Sequence, residues 1–249
     1  LWRIRLWGYG RLAAEVTFMG ARVGLIVPSS NTVMEVDFYR ALPRQVTLHT
    51  ARMYLKDTTV QGEELMLDVH LPHAARDIAT AKPDLVVFGC TSAGALRGNV
   101  YEAELCRWLS EITSAPVVSV ISSVRRLLGE IGAKRIAVVT PYVDELNERI
   151  ERSLRDDGFD VERIVGLGIS DNFAIAEVQP EAIVEFCRRS LAGLSADALF
   201  ISCTNFRGMA ARPQLEEELK VPVVTSNHAT LVAVGKALGV EDKLNWEVA

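Results

Sequence analysis

RVGLIVP at Arg22–Pro28 and RIAVVTP at Arg135–Pro141, with PDLVVFGCT at Pro83–Thr91 and ADALFISCT at Ala196–Thr204, decide how this 249-residue chain folds. Arg22 and Arg135, Pro28 and Pro141, Asp84 and Asp197, and Cys90 and Cys203 are all 113 positions apart. Four matches at one offset exceed what shared strand composition produces. A later echo, APVVS at Ala115–Ser119 and VPVVT at Val221–Thr225, has slipped to an offset of 106. The repeat predicts two similar flavodoxin-like α/β halves related by a pseudo-twofold axis, with an active site in the cleft between them.

Working outward, RVGLIV, DLVVFG, PVVSV, RIAVVT, VERIVGL, DALFIS and PVVTS read as strands. They are short, β-branched and bounded by Gly, Pro, Asp or Ser. Their near-continuous apolar character suits parallel strands buried on both faces. Amphipathic segments alternate with them. Leu146, Ile150 and Leu154 recur through Asp144–Asp157 before a stop at Gly158, and Leu105, Trp108, Leu109 and Ile112 share a face of Glu102–Ile112. Strand–helix alternation implies an α/β fold with parallel sheets. The expected domains are a first half over 21–116, completed by a C-terminal helix over 226–249, and a second half over 117–225. Residues 1–20, LWRIRLWGYGRLAAEVTFMG, have no periodicity and no signal-peptide pattern. They read as an extension outside the fold, with the natural start at Met19.

A formal charge of −5 gives no general attraction to nucleic acid or an anionic membrane, so neither is an expected partner. No apolar run approaches the roughly 20 residues that span a bilayer. Cys90, Cys106, Cys187 and Cys203 form no CxxC pair and no zinc-finger spacing with the four histidines. Reduced thiols and a cytoplasmic location are the expectation. A homo-oligomer is compatible with the sequence.

In open α/β sheets, ligands bind beyond the carboxyl ends of the strands. Cys90 and Cys203 occupy those ends, so halves that face each other bring the two thiols to one pocket. Thr91 and Ser92 follow the first cysteine, and Thr204 and Asn205 follow the second. Such turns aim backbone N–H groups that hold a carboxylate and lower a thiol's pKa. The thiols are candidates for base or nucleophile. Asn31, Tyr142 and Asn172 stand near strand ends; a turn or helix cap, a core tyrosine and an N-cap are their alternative readings. His228 is a weaker acid–base candidate, and Arg97 and Arg207 are weaker carboxylate clamps. His70 and His73 lack a third metal ligand, and the run Glu216–Glu218 reads as a solvated helix face. Cys106 and Cys187 fall inside helical patterns and read as structural.

VPSSNT at Val27–Thr32, GCTSA at Gly89–Ala93, TPYVDELNER at Thr140–Arg149, SDN at Ser170–Asn172 and SCTN at Ser202–Asn205 carry a family resemblance. Over Arg22–Val240 the chain resembles the aspartate/glutamate racemase superfamily, in the branch of maleate cis–trans isomerases and arylmalonate decarboxylases. The resemblance implies a cofactor-independent, metal-free enzyme acting on a small carboxylate. It implies Cys90 as nucleophile, Cys203 as proton-transferring cysteine, and substrate contacts from Asn31, Tyr142 and Asn172. The decarboxylases keep the second cysteine but carry glycine at the first, so the intact pair favours isomerisation. Amino-acid racemisation by two-thiol proton exchange, decarboxylation, and a non-catalytic carboxylate-binding role are the alternatives.

Overall fold

The computed structural model describes residues 20–246. Elements follow in the order β1 (Ala21–Pro28), α1 (Met34–Ala41), β2 (Val46–Met53), α2 (Val60–Leu65), a π turn (Met66–His70), α3 (Leu71–Thr80), β3 (Leu85–Phe88), α4 (Thr91–Ala95), α5 (Asn99–Thr113), β4 (Val117–Ser119) and α6 (Val120–Glu130). The second run is β5 (Arg135–Thr140), α7 (Asp144–Asp156), β6 (Asp160–Gly166), α8 (Asn172–Glu177), α9 (Pro180–Ser190), β7 (Ala198–Ile201), α10 (Gly208–Leu219), β8 (Val223–Thr225) and α11 (Ser226–Leu238).

Two four-stranded parallel sheets result, ordered β2-β1-β3-β4 and β6-β5-β7-β8. The repeat is therefore a repeat of topology. It extends to side chains: Asp84 accepts from the Arg22 backbone N–H and Asp197 from that of Arg135, each at 2.8 Å. Each aspartate, placed just before its strand, ties that strand's entry to the first strand of its sheet. Extended backbone leaves such N–H groups needing a partner, and the carboxylate supplies it.

Two expectations need correction. β4 pairs with β3, so the first sheet continues through Ser119 and does not stop at 116. β2, absent from the apolar runs read in the sequence, forms the outer edge of the first sheet. An edge strand with a half-exposed pattern lacks the continuous apolar run of central strands.

The helices after the last strands tie the sheets together. α11 places Leu231 and Val234 in a core cluster with Val23, Leu25, Leu85 and Val87 of the first sheet. α6 places Ile121, Val124 and Leu128 in the cluster that holds Ile136 and Val138 of β5. α6 and α11 also pack on each other. Residues 1–19, including nearly all of the expected N-terminal extension, lie outside the described residues, as do 247–249 at the end of the expected C-terminal helix. No described helix is long and apolar enough to cross a membrane.

Candidate active site

Each cysteine follows a central strand directly. The hydrogen bonds that end these strands are equivalent: Gly89 N–H to Ile26 O and Ser202 N–H to Val139 O, both 2.8 Å. Gly89 has no room for a side chain, since a Cβ would lie 2.7 Å from Val27 Cγ1 and 2.9 Å from Ile26 O. Cys90 continues in extended conformation (φ −140°) and opens α4. Cys203 instead adopts φ 92°, a left-handed backbone that a side-chain-bearing residue rarely holds. Its N–H donates to Ser226 Oγ at 3.0 Å, which also accepts from Thr91 Oγ1 at 2.9 Å. The turn after Cys90 is thus hydrogen-bonded to the turn that carries Cys203.

The two thiols line one small cavity between the sheets, 5 % and 7 % exposed. Asn31, Thr91, Ser92, Tyr142, Asn172, Thr204 and Asn205 line it with them. Asn31 does two things. Its Oδ1 accepts from the N–H groups of Val33 and Met34, capping α1, while Nδ2 donates to Thr204 Oγ1 at 3.0 Å. Asn172 accepts from Thr58 Oγ1 and donates to Ser30 Oγ. Asn205 accepts from Thr32 N–H and donates to Asn172 O at 2.6 Å. An amide NH2 has two protons, so Asn31 and Asn172 each show one bond there and have a second N–H to offer a ligand. Tyr142 lines the cavity with Cys203, and its hydroxyl favours the thiolate form of that cysteine. Over the site, Thr58 N–H donates to Ser170 O and Asn172 N–H to Lys56 O, joining the loop after β2 to the loop after β6.

The profile of the arylmalonate decarboxylase family matches residues 23–245. The chain belongs to that family. It is 31% identical to maleate isomerase of Pseudomonas putida over 237 residues, covering 88% of this chain and 92% of that protein. It is 28% identical to arylmalonate decarboxylase of Bordetella bronchiseptica over 208 residues, or 83% and 86% of the two chains. The crystal structure of the maleate isomerase Iso from Pseudomonas putida S16 superposes with a TM-score of 0.84 at 27% identity, covering 91% of this chain and 96% of that one.

Within this arylmalonate decarboxylase family member, four further residues line the cavity: Pro28, Leu55, Thr58 and Glu63. Glu63 is fully buried in α2, and Ser92 Oγ donates to its Oε1. Sequence offered no signal for it, because VQGEEL reads as an ordinary charged helix and the adjacent Glu64 is exposed. Burial, partly offset by the Ser92 hydrogen bond, pushes the Glu63 carboxyl up to about 8.

Turn dipoles can lower a thiol's pKa, but in this cavity burial outweighs them. Burial drives Cys90 well above the ordinary thiol value, and the nearby Glu63 carboxyl adds to it. Burial also pushes Cys203 up to about 11, against the opposing Tyr142 hydroxyl and Asn205 N–H. Dipoles from two short turns do not offset the removal of a thiolate from water. At neutral pH the resting cavity therefore holds protonated groups.

Several weaker candidates fall elsewhere. Arg97 is held by Asp68 at 2.8 and 2.7 Å and stacks over Tyr101. Arg207 Nε donates to Ala176 O at 2.7 Å. Neither lines the cavity. His228 packs edge-on against Trp246, and burial lowers its pKa to about 3. His70 contacts Tyr54, and no group of three His, Cys, Asp or Glu among the described residues could hold a metal. Cys106 and Cys187 lie in α5 and α9, both pushed up to about 12 by burial.

Glu63 makes stability depend on pH. Its folded pKa is above its unfolded value of 4.5, so the native state holds a proton that the unfolded chain releases between pH 4.5 and about 8. The Glu63 contribution is most favourable below pH 4.5 and is lost as pH rises through about 8. Glu63→Gln is therefore expected to melt higher than wild type at pH 8, by several kcal/mol in stability, with the gain shrinking toward pH 5. Calorimetric melting of both proteins across this range checks it; a pH-independent difference would refute it.

Proposed function

We propose that this enzyme is a cofactor-independent cis–trans isomerase of a small dicarboxylate, interconverting maleate and fumarate. The observation that carries the reading is the pair of strand-end thiols lining one cavity, within a family that contains maleate isomerases. The cavity is lined by neutral hydrogen-bond donors and includes no Lys, Arg or His. A buried dicarboxylate must exchange its water for such donors. The second N–H groups of Asn31 and Asn172 are available for this.

Substrate entry releases the Cys90 thiol proton to solvent, and Cys90, as thiolate, adds to one alkene carbon. The π pair moves toward the adjoining carboxylate, and Cys203 delivers a proton to the second carbon. The former double bond is now single and rotates. The Cys203 thiolate then removes the proton, and Cys90 leaves with the C–S pair, giving the trans alkene. Tyr142, which lines the cavity with Cys203, stabilises the anionic form of that sulfur.

The test is proton NMR of maleate with enzyme in D2O. Conversion to fumarate is expected. Inert maleate, with deuterium entering the α-carbon of an amino acid instead, would replace this reading by racemisation.

A further inference from the structure

A buried carboxyl usually answers to a cation, and no Lys, Arg or His among the described residues pairs with Glu63. The groups around it are Ser92, Cys90, Cys203, Tyr142, Thr58 and Leu55. Beyond the two thiols and the tyrosine at the strand ends, the charged and titratable groups on or beside α2 are Glu64, His70, the Asp68–Arg97 ion pair, Arg149, Arg152 and Asp156, none of which lines the cavity. Ser92 serves Oε1, whereas Oε2 is buried and has no hydrogen-bond partner. A carboxylate isolated in this way is strongly disfavoured, so the group is held as the neutral acid. Ser92 donates to Oε1, which leaves the acid proton on Oε2, and Glu63 lines the cavity together with Cys90. An unfilled donor at full burial is costly unless a ligand completes it.

We propose that Glu63 is a substrate-binding residue which, as a neutral acid, donates its Oε2–H to the substrate carboxylate lying on the Cys90 side. The inference rests on the dicarboxylate reading and deepens it, because it supplies a donor where the cavity has no cation. No electrons are exchanged and the proton stays on Glu63. A bound dianion raises the proton affinity of the acid further, so binding and protonation are linked.

The linkage gives a test free of turnover. Maleate binding to Cys90→Ala is measured by titration calorimetry at pH 6.5 to 9, in pairs of buffers with different ionisation heats. Above pH 8 the affinity is expected to fall roughly tenfold per pH unit, with uptake of about half a proton at pH 8 rising toward one at pH 9. Cys90→Ala/Glu63→Gln, whose amide cannot ionise, is expected to show neither effect, and Cys90→Ala/Glu63→Leu to bind about 10- to 100-fold more weakly at pH 7. Pairwise infrared spectra of wild type and Glu63→Gln are expected to show a protonated carboxyl at pH 7 that is lost near pH 8. Maleate binding without proton uptake, or a Glu63 already ionised at pH 7, overturns the inference. Aspartate binding that releases a proton and tightens above pH 8 also overturns it, because the acid then serves an ammonium group. Failure of maleate to bind while Glu63 is seen protonated sinks the dicarboxylate reading itself, and this role for the acid with it.

Discussion

Replacing either Cys90 or Cys203 by Ala is expected to lower kcat by at least about 10⁴-fold while the protein remains folded, and combining the two is expected to cost little more. Each thiol supplies a distinct step, addition or proton transfer, and residues acting as one unit show strongly non-additive losses. The fold should survive because both side chains are small and neutral in the resting protein, so each substitution removes one sulfur atom from a cavity already present. The relevant measurements are kcat on maleate and the far-ultraviolet dichroism and melting point of each variant. Near-wild-type turnover in either single variant would remove the two-thiol mechanism, whichever substrate is used.

The largest stability effect is expected at Arg125. This α6 side chain is 9 % exposed and reaches Glu102 Oε2 in α5 at 2.7 Å and Asp157, at the end of α7, at 2.5 Å. It also donates to Asn99 Oδ1 and Ser153 Oγ at 3.1 and 3.0 Å. Glu102, 3 % exposed, otherwise accepts only from Ser119 Oγ and Ser122 N–H among the bonds described. Arg125→Met leaves that buried carboxylate without a counter-charge and removes the α6 tie to α5 and α7, which Asn99 still joins through Ser153 O and Asp157 Oδ1. A loss of about 3–5 kcal/mol is expected, the usual scale for breaking one side of a buried pair. Urea unfolding measures it. Glu102→Gln introduced together with Arg125→Met should recover part of the loss; a single-variant loss below about 1 kcal/mol would show that the pair is not what joins these helices.

Sequence made the architecture legible because duplication leaves a signal that composition does not imitate: residues 113 apart occupy equivalent corners of two sheets, down to Asp84 and Asp197. It left β2 invisible because an edge strand is half wet, and it placed the end of the first half before β4 because PVVS alone does not say which sheet it joins. The nine site residues named from strand ends and motifs stand around one cavity. Glu63 escaped because local pattern cannot tell which of two adjacent glutamates turns inward. The upward shift of both thiols was illegible for a related reason. Turn dipoles can be anticipated from neighbouring residues, whereas desolvation is set by the opposite half of the molecule.

The backbone of Cys203, at φ 92°, is one that glycine adopts without penalty and that any residue with a Cβ adopts at a cost on the order of 1–3 kcal/mol. Stability and chemistry therefore pull in opposite directions at this codon. A library selected only for thermal resistance is expected to favour Cys203→Gly, a hardier protein without the thiol proposed for proton transfer. Directed evolution of this scaffold has to couple every stability round to an activity screen, or it will discard the second thiol first.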